Sequence, residues 1–207
     1  MSTGTRSRRL PRAEREQQML AAARGLFAER GYAVVTMDDV AAAVGVTKPL
    51  LYTYFGNKER LFAACMEPAG EALLATVVEA VAGARDGAEA VERGVHAFFA
   101  FVDEDREAWG VLFDGSLPSG EIARSVVAYR DRLATLVAAE LAPAAGAPPP
   151  QTVALTTAVL GAAEALGRWW LRTSAISAAE AAELLIGVVK PGLGLTGGPP
   201  PAPAPAP

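Results

Sequence analysis

Apolar residues recur every three or four positions along almost the whole chain, and no run alternates apolar with polar as a half-buried strand would. That periodicity restricts the fold to packed helices. In the first such stretch, about Arg12 to Arg30, Met19, Ala23, Leu26, Phe27 and Arg30 follow i, i+4, i+7 and i+8, and Gly31 supplies a stop. Of 207 residues 51% are hydrophobic yet only 7% aromatic. The excess is mostly alanine, the strongest helix former, so local propensity and periodicity agree.

The same spacing predicts about nine helices. Thr36 stands where an N-cap belongs, with Asp38 and Asp39 in the first turn facing the positive end of the helix dipole. That second helix runs to about Val44 and is broken by Gly45; a third runs from Thr47 or Lys48 to about Tyr54. A long fourth helix, from near Asn57 to about Gly83, contains Pro68, whose missing N–H predicts a kink. The fifth, about Gly87 to Glu104, puts Val91, Val95, Phe98 and Val102 on one face. A short sixth segment holds Trp109, Leu112 and Phe113, before a Gly115–Gly120 loop. The seventh helix, about Glu121 to Leu141, ends at a Pro/Ala/Gly stretch, 143–150. The eighth covers about Gln151 to Arg172, and the ninth, capped by Ser177, about Ala178 to Lys190. Residues 191–207 form a Pro/Gly-rich tail with nothing to bury, read as disordered or polyproline-like.

Several classes of chemistry lack their residues. One cysteine, Cys65, makes no disulfide framework or cysteine zinc site, and one histidine, His96, gives hydrolytic catalysis a single base. Neither an enzyme nor a cofactor or metal is expected. Cys65 reads as packing, His96 as a partly exposed helix residue, and Asp103, Glu104, Asp105 and Glu107 as a solvated helix end. Met1–Arg15 carries Arg6, Arg8, Arg9 and Arg12 but no apolar core, so it does not read as a signal peptide, and no stretch approaches eighteen uninterrupted apolar residues. A soluble cytoplasmic chain without a membrane partner is the expectation.

The net charge of −4 hides an uneven distribution. Residues 1–61 hold ten Lys/Arg against six Asp/Glu, whereas residues 62–207 hold nine against seventeen. A basic, partner-facing module joined to an acidic body fits that asymmetry.

The segment from Thr36 to Phe62, TMDDVAAAVGVTKPLLYTYFGNKERLF, carries most of the functional information. Two short helices joined by a tight turn need a small residue at their crossing and a residue tolerant of positive φ at the turn; Ala41 and Gly45 supply these. Val40, Val44, Val46, Leu51 and Phe55 are the apolar positions that would hold the pair against the first helix. What remains on the second is Lys48, Pro49, Leu50, Tyr52, Thr53 and Tyr54, an odd solvated surface but a sensible one for a DNA groove. Lysine and tyrosine reach phosphates, and a small apolar group meets a thymine methyl. Two of only three lysines, Lys48 and Lys58, fall here.

This segment resembles the tetracycline-repressor (TetR) family through Thr36, Gly45, Thr47, Leu51, Tyr52, Tyr54, Phe55, Lys58, Glu59, Leu61 and Phe62. The resemblance is specific over about residues 15–62; beyond them only size and helical layout agree. It implies an all-α fold in which an N-terminal three-helix helix-turn-helix domain precedes a larger helical ligand-binding and dimerisation domain. The corresponding divisions are a flexible basic arm (1–12), a DNA-binding domain (13–61), a ligand-binding and dimerisation domain (62–190) and the tail (191–207). By position, Thr36 and Thr47 would cap their helices and touch phosphates, Tyr52, Tyr54 and Lys58 would clamp the backbone, and Lys48, Pro49 and Leu50 would face the bases. The implied partners are double-stranded operator DNA, a small-molecule effector and a second copy of the chain, with the protein acting as a repressor on a pseudo-palindromic site. The basic arm either enters the minor groove or is simply solvated.

The acidic body adds weaker signals of its own. The eighth helix is apolar on two faces, Leu155, Val159, Ala162, Leu166 and Trp169/Trp170 on one and Val153, Leu160, Gly167 and Leu171 on the other. One face therefore serves either a subunit interface or a central position in a monomer core. Leu160, Leu171, Leu184 and Val188 are the interface candidates. Leu73 and Val77 on the fourth helix, with Phe98, Phe101, Trp109 and Phe113, are the candidates for a pocket suited to an apolar or aromatic effector. The competing readings are an effector-independent DNA-binding protein and an all-helical ligand carrier or enzyme.

Overall fold

The computed structural model describes residues 11–113, 121–145, 149–193 and 195. Among them are nine helices and no strand: α1 (Arg12–Arg30), α2 (Met37–Val44), α3 (Lys48–Phe55), α4 (Lys58–Val81), α5 (Gly87–Glu104), α6 (Arg106–Leu112), α7 (Glu121–Ala145), α8 (Pro149–Thr173) and α9 (Ala178–Gly192). The all-α reading of the periodicity holds. The helices gather into two compact units, one of Met1–Ala69 with Arg106–Ala123, the other of Gly70–Asp105 with Arg124–Pro207. This partition differs from a division after residue 61. The first unit keeps the N-terminal half of α4, and it includes α6, which lies far along the chain.

The first unit is built on α1, whose Met19, Ala23 and Phe27 are fully buried. Phe27 and Phe62 meet edge to face with centroids 5.1 Å apart, and Tyr32 packs edge-on to Phe62 at 5.0 Å. Such a cluster is worth more than its area alone, and truncating Phe27 or Phe62 to Ala would cost about 3–5 kcal/mol. Cys65 is buried here, its thiol donating to the Leu20 carbonyl at 3.7 Å, and burial pushes its pKa up to about 12. A thiol held protonated is packing rather than a redox switch. α6 packs along α1 at very short range: a Cβ on Gly110 would stand 2.7 Å from the Ala28 Cα. Only glycine permits that approach. Arg24 of α1 pairs with Glu107 of α6 at 3.2 Å, so Glu107 is not merely a solvated helix end.

In the second unit α5 lies against α9 and α8, and α8 against α9. The α8–α9 turn is pinned by Trp170, whose indole N–H donates to the Ile176 carbonyl at 2.7 Å. Ser177 then opens α9 with a reciprocal capping box to Glu180. His96 sits on exposed surface, 3.0 Å from Glu183, as its helix position suggested.

Several boundaries shift, each for a local reason. α7 runs to Ala145 rather than Leu141, because its alanine-rich end favours helix despite the one backbone bond lost at Pro143. α8 begins at Pro149 rather than Gln151, since early helical positions need no N–H partner and Pro149 and Pro150 suit them. α9 continues through Pro191 to Gly192, and Leu193 and Leu195 beyond it are half-buried, so the tail does have something to bury. Arg12 belongs to α1 rather than to the arm. Arg6, Arg8 and Arg9, the Gly115–Gly120 loop and residues 196–207 lie outside the described residues. α4 passes through Pro68 as one continuous helix. By length and composition α4 is apolar enough to cross a membrane. Yet Leu61, Phe62, Cys65, Met66, Leu73 and Val77 along it are buried, as in the core helix of a bundle.

Candidate nucleic-acid interface and ligand cavity

The turn between α2 and α3 forms for identifiable reasons. Thr36 accepts from the Asp39 N–H at 3.2 Å while the Asp39 carboxylate accepts from the Thr36 N–H at 2.8 Å, a closed capping box. The Thr36 hydroxyl, which donates to the same carboxylate at 2.6 Å, and then the Thr36 N–H hold the Asp39 carboxyl below its ordinary pKa, with Arg30 adding a smaller pull. Gly45 ends α2 in the left-handed region at φ 70°, and the Val46 N–H returns to the Ala41 carbonyl at 3.0 Å. Thr47 takes the N-cap position of α3, but its side chain accepts no capping bond, contrary to the role assigned by resemblance. Pro49 has no N–H to offer, and the Leu50 N–H goes to the Thr47 carbonyl at 3.0 Å. The Thr47 hydroxyl is therefore not engaged in capping α3.

Leu51 and Phe55 bury one face of α3, with Val40 and Ala41 of α2 buried beside them. The opposite face is solvent-facing: Thr47, Lys48 and Pro49 are exposed, as are Leu50 at 38% and Tyr52 at 41%. Lys48 is tied to Asp38 at 2.7 Å, a contact that raises its pKa. Thr53 donates to the Pro49 carbonyl at 2.9 Å, so its hydroxyl is engaged within the helix. Tyr54 is half-buried beneath the Arg12 guanidinium, 5.2 Å from its ring centre. Lys58 lies with its ammonium 4.2 Å from the centre of the Tyr32 ring. Partial burial lowers the Lys58 pKa, against the raising influence of Glu59 and Asp39. Tyr32 in turn donates to Glu59 at 3.2 Å; burial first, then the Glu59 charge, push its phenol up to about 12.

The second unit contains an apolar cavity of about 200 Å³. α4 contributes Val77 and Val81, α5 Val91, Val95 and Phe98, α7 Val137, and α8 Leu155, Val159, Leu160 and Ala163. Its polar side chains are Thr152 and Thr156, both buried, and none of its lining residues is charged.

Comparison with known proteins places both halves. Residues 19–65 match the family model described as bacterial regulatory proteins of the tetR family, and residues 88–189 match the Tetracyclin repressor-like C-terminal domain. A solved TetR-like transcriptional regulator from Rhodococcus sp. RHA1 is 34% identical, covers 90% of this chain and 99% of its own, and superimposes with a TM-score of 0.73. The chain belongs to the TetR family. Among curated TetR-type relatives, the HTH-type transcriptional activator FasR of Mycolicibacterium smegmatis is 36% identical over 109 residues, 53% of this chain and 50% of FasR. The HTH-type transcriptional regulator BetI of Rhizobium meliloti is 30% identical over 122 residues, 58% of this chain and 60% of BetI. The chain thus spans about half to three fifths of the length of the curated relatives it matches.

In this TetR-family chain the residues singled out from sequence meet different fates. Thr36, Thr47, Lys48, Pro49, Leu50 and Tyr52 are all exposed on the α2–α3 pair, and Tyr54 and Lys58 are half-buried. Of the pocket candidates, Val77 and Phe98 line the cavity. Leu73 and Phe101 are buried elsewhere in the core, and Trp109 and Phe113 belong to the first unit, where their rings pack 4.3 Å apart. Of the interface candidates, Leu184 (56%) and Val188 (74%) are exposed, Leu171 is half-buried, and Leu160 faces the cavity. Sequence reasoning misses Tyr32, Asp38, Thr152, Thr156, Leu193 and Leu195 as site residues. Their contacts join positions distant in sequence, and only the Leu193/Leu195 pair, two large apolar residues in a Gly/Pro stretch, leaves a readable signal.

Proposed function

We propose that the protein is a cytoplasmic, DNA-binding transcriptional repressor that docks α3 in the major groove of a pseudo-palindromic operator as a homodimer and is released by a small effector held in the cavity of the second unit. The exposed face of α3, with Lys48, Pro49, Leu50 and Tyr52 standing over a buried Leu51 and Phe55, carries the reading. A lysine, a small apolar group and a tyrosine hydroxyl exposed together on a short helix suit a surface of bases and phosphates. Lys48 and Leu50 fit base edges, and Thr36, Thr47, Tyr52, Tyr54 and Lys58 fit the flanking phosphates. Leu184 and Val188 on α9 and Trp169 on α8 give a second unpartnered apolar face, which supports pairing of two chains. One short helix reads too few bases for useful specificity, which is a second reason for pairing.

The sign of regulation follows the family's name, although one relative is named an activator. The test is a mobility-shift titration of the full chain against intergenic DNA flanking its gene, with transcript levels of the neighbouring genes in a deletion strain. A retarded complex and raised transcripts are expected. Absence of any complex contradicts the DNA reading, and lowered transcripts contradict repression alone.

A further inference from the structure

We propose that the cavity takes an uncharged, mostly aliphatic ligand carrying one hydroxyl or carbonyl group, and that Leu193 and Leu195, beyond the last helix, form part of the wall that grips it. The inference rests on the effector reading above and narrows it.

The lining decides the charge class. Seventeen residues surround the space, and Thr152 and Thr156 are the polar side chains among them. Burying a carboxylate or an ammonium there without a counter-charge would cost several kcal/mol, so a charged ligand is rejected. Lys190, three positions before Leu193, is not in the lining, and its ammonium is held by Glu92 of α5. Shape and composition then separate aliphatic from aromatic ligands. Among the described residues Phe98 is the single aromatic ring in the lining, and besides the two threonines the other walls are Val, Leu, Ala and Gly. An aromatic effector would find one ring to stack on, whereas branched aliphatic walls suit methylene chains. Gly94 belongs to this design, since a Cβ there would meet Val81 Cγ1 at 3.1 Å and disturb the contact between α4 and α5. In size, about 200 Å³ exceeds the roughly 150 Å³ apolar cavity that admits benzene.

The C-terminal wall is fixed by backbone bonds. The Leu193 N–H donates to the Val189 carbonyl at 3.0 Å and the Leu195 N–H to the Lys190 carbonyl at 2.9 Å. The second reaches back five residues, holding Leu195 against the end of α9. α9 ends at Gly192, one residue past Pro191, and both leucines beyond it reach the cavity. The Glu92–Lys190 pair ties the end of α9 to α5, another wall of the same space. Leu193 and Leu195, past the last helix, are thus part of the site.

The probes are 1-octanol, octanoate and octylammonium, titrated calorimetrically into the full chain, with operator affinity measured in parallel. 1-Octanol should bind at least about tenfold tighter than either ion, which is roughly 1.4 kcal/mol. The double variant Leu193→Ala/Leu195→Ala should weaken 1-octanol about tenfold and leave operator affinity and helical circular dichroism unchanged. The volume-conserving pair Leu193→Met/Leu195→Met should keep most of the affinity. Thr156→Val should weaken 1-octanol severalfold by removing a hydrogen-bond partner. Octanoate or octylammonium binding as tightly as 1-octanol, or no binding of 1-octanol, overturns the ligand class. Unchanged 1-octanol affinity in the double alanine variant overturns the wall. Operator binding without alcohol binding sinks this inference and leaves the regulator standing; alcohol binding without operator binding does the reverse.

Discussion

Replacing Gly110 by Ala tests whether α6 belongs with the helix-turn-helix. The added Cβ would lie 2.7 Å from the Ala28 Cα, 2.8 Å from its Cβ and 3.1 Å from its carbonyl oxygen. Carbon atoms rest about 3.5–4.0 Å apart, so the two helices must separate by close to 1 Å, and the closest obstacle is backbone that cannot swing away. Overpacking of this kind costs about 1–3 kcal/mol. Gly→Ala inside a helix returns at most about 1 kcal/mol of propensity. Because the obstacle is backbone, the cost falls at about 2–3 kcal/mol, so the net expectation is a loss of about 1–2 kcal/mol, seen as a thermal midpoint lower by roughly 2–8 °C for a chain of this size. Gly25 on α1 is the matched control: a Cβ there meets nothing nearer than Glu107 Oε1 at 3.7 Å. Gly25→Ala should therefore leave the midpoint unchanged or raise it. Both variants are followed by circular dichroism during heating and by urea titration. A Gly110→Ala protein as stable as the parent would refute the close α1–α6 packing, and with it the assignment of α6 to the first unit.

Further outcomes follow from the candidate sites. Lys58→Ala should weaken binding about equally to all duplexes and lower the salt slope by roughly 0.9 per subunit for each phosphate left without its cation, whereas Lys48→Ala should relax preference at particular base pairs, worth about 1–3 kcal/mol each; a panel of mutated duplexes at several salt concentrations separates them. Leu184→Glu with Val188→Glu should shift the chain toward monomer in sedimentation and weaken operator binding in step, because two carboxylates replace an apolar face that is already exposed in one chain. Glu89, held by Arg85 and Arg93, has its pKa lowered to about 2, below its unfolded value near 4.3. A depressed carboxyl stabilises the native state above the unfolded pKa and loses that contribution as pH falls from about 5 toward 2, so Glu89→Gln should flatten the acid limb of urea-midpoint measurements.

The helices were legible because periodicity, caps and breakers agreed locally: Thr36 with two aspartates in the first turn, Gly45, and Ser177 before α9. The α3 surface was legible for the same reason, since an eight-residue helix shows which of its residues are left over once Leu51 and Phe55 are buried. Contacts distant in sequence were not. Nothing near Gly110 announces Ala28 as its neighbour, and nothing near Lys58 announces the Tyr32 ring. The aromatic residues misled most. Phe101, Trp109 and Phe113 are close in sequence to Phe98, but the break at Asp105 between α5 and α6 sends Trp109 and Phe113 into another unit. The cavity is instead lined by valines and threonines from several helices, a pattern no single stretch displays.

The central claim is that α3 reads DNA from a two-fold assembly. Selection of bound duplexes from a random pool by the full chain, followed by sequencing, tests it most directly. The account predicts enrichment of an inverted repeat whose half-sites lie about one helical turn apart, lost when Tyr52 and Lys48 are replaced by Ala. Enrichment of a single asymmetric half-site, or the same repeat selected by the Tyr52/Lys48 double variant, would contradict it.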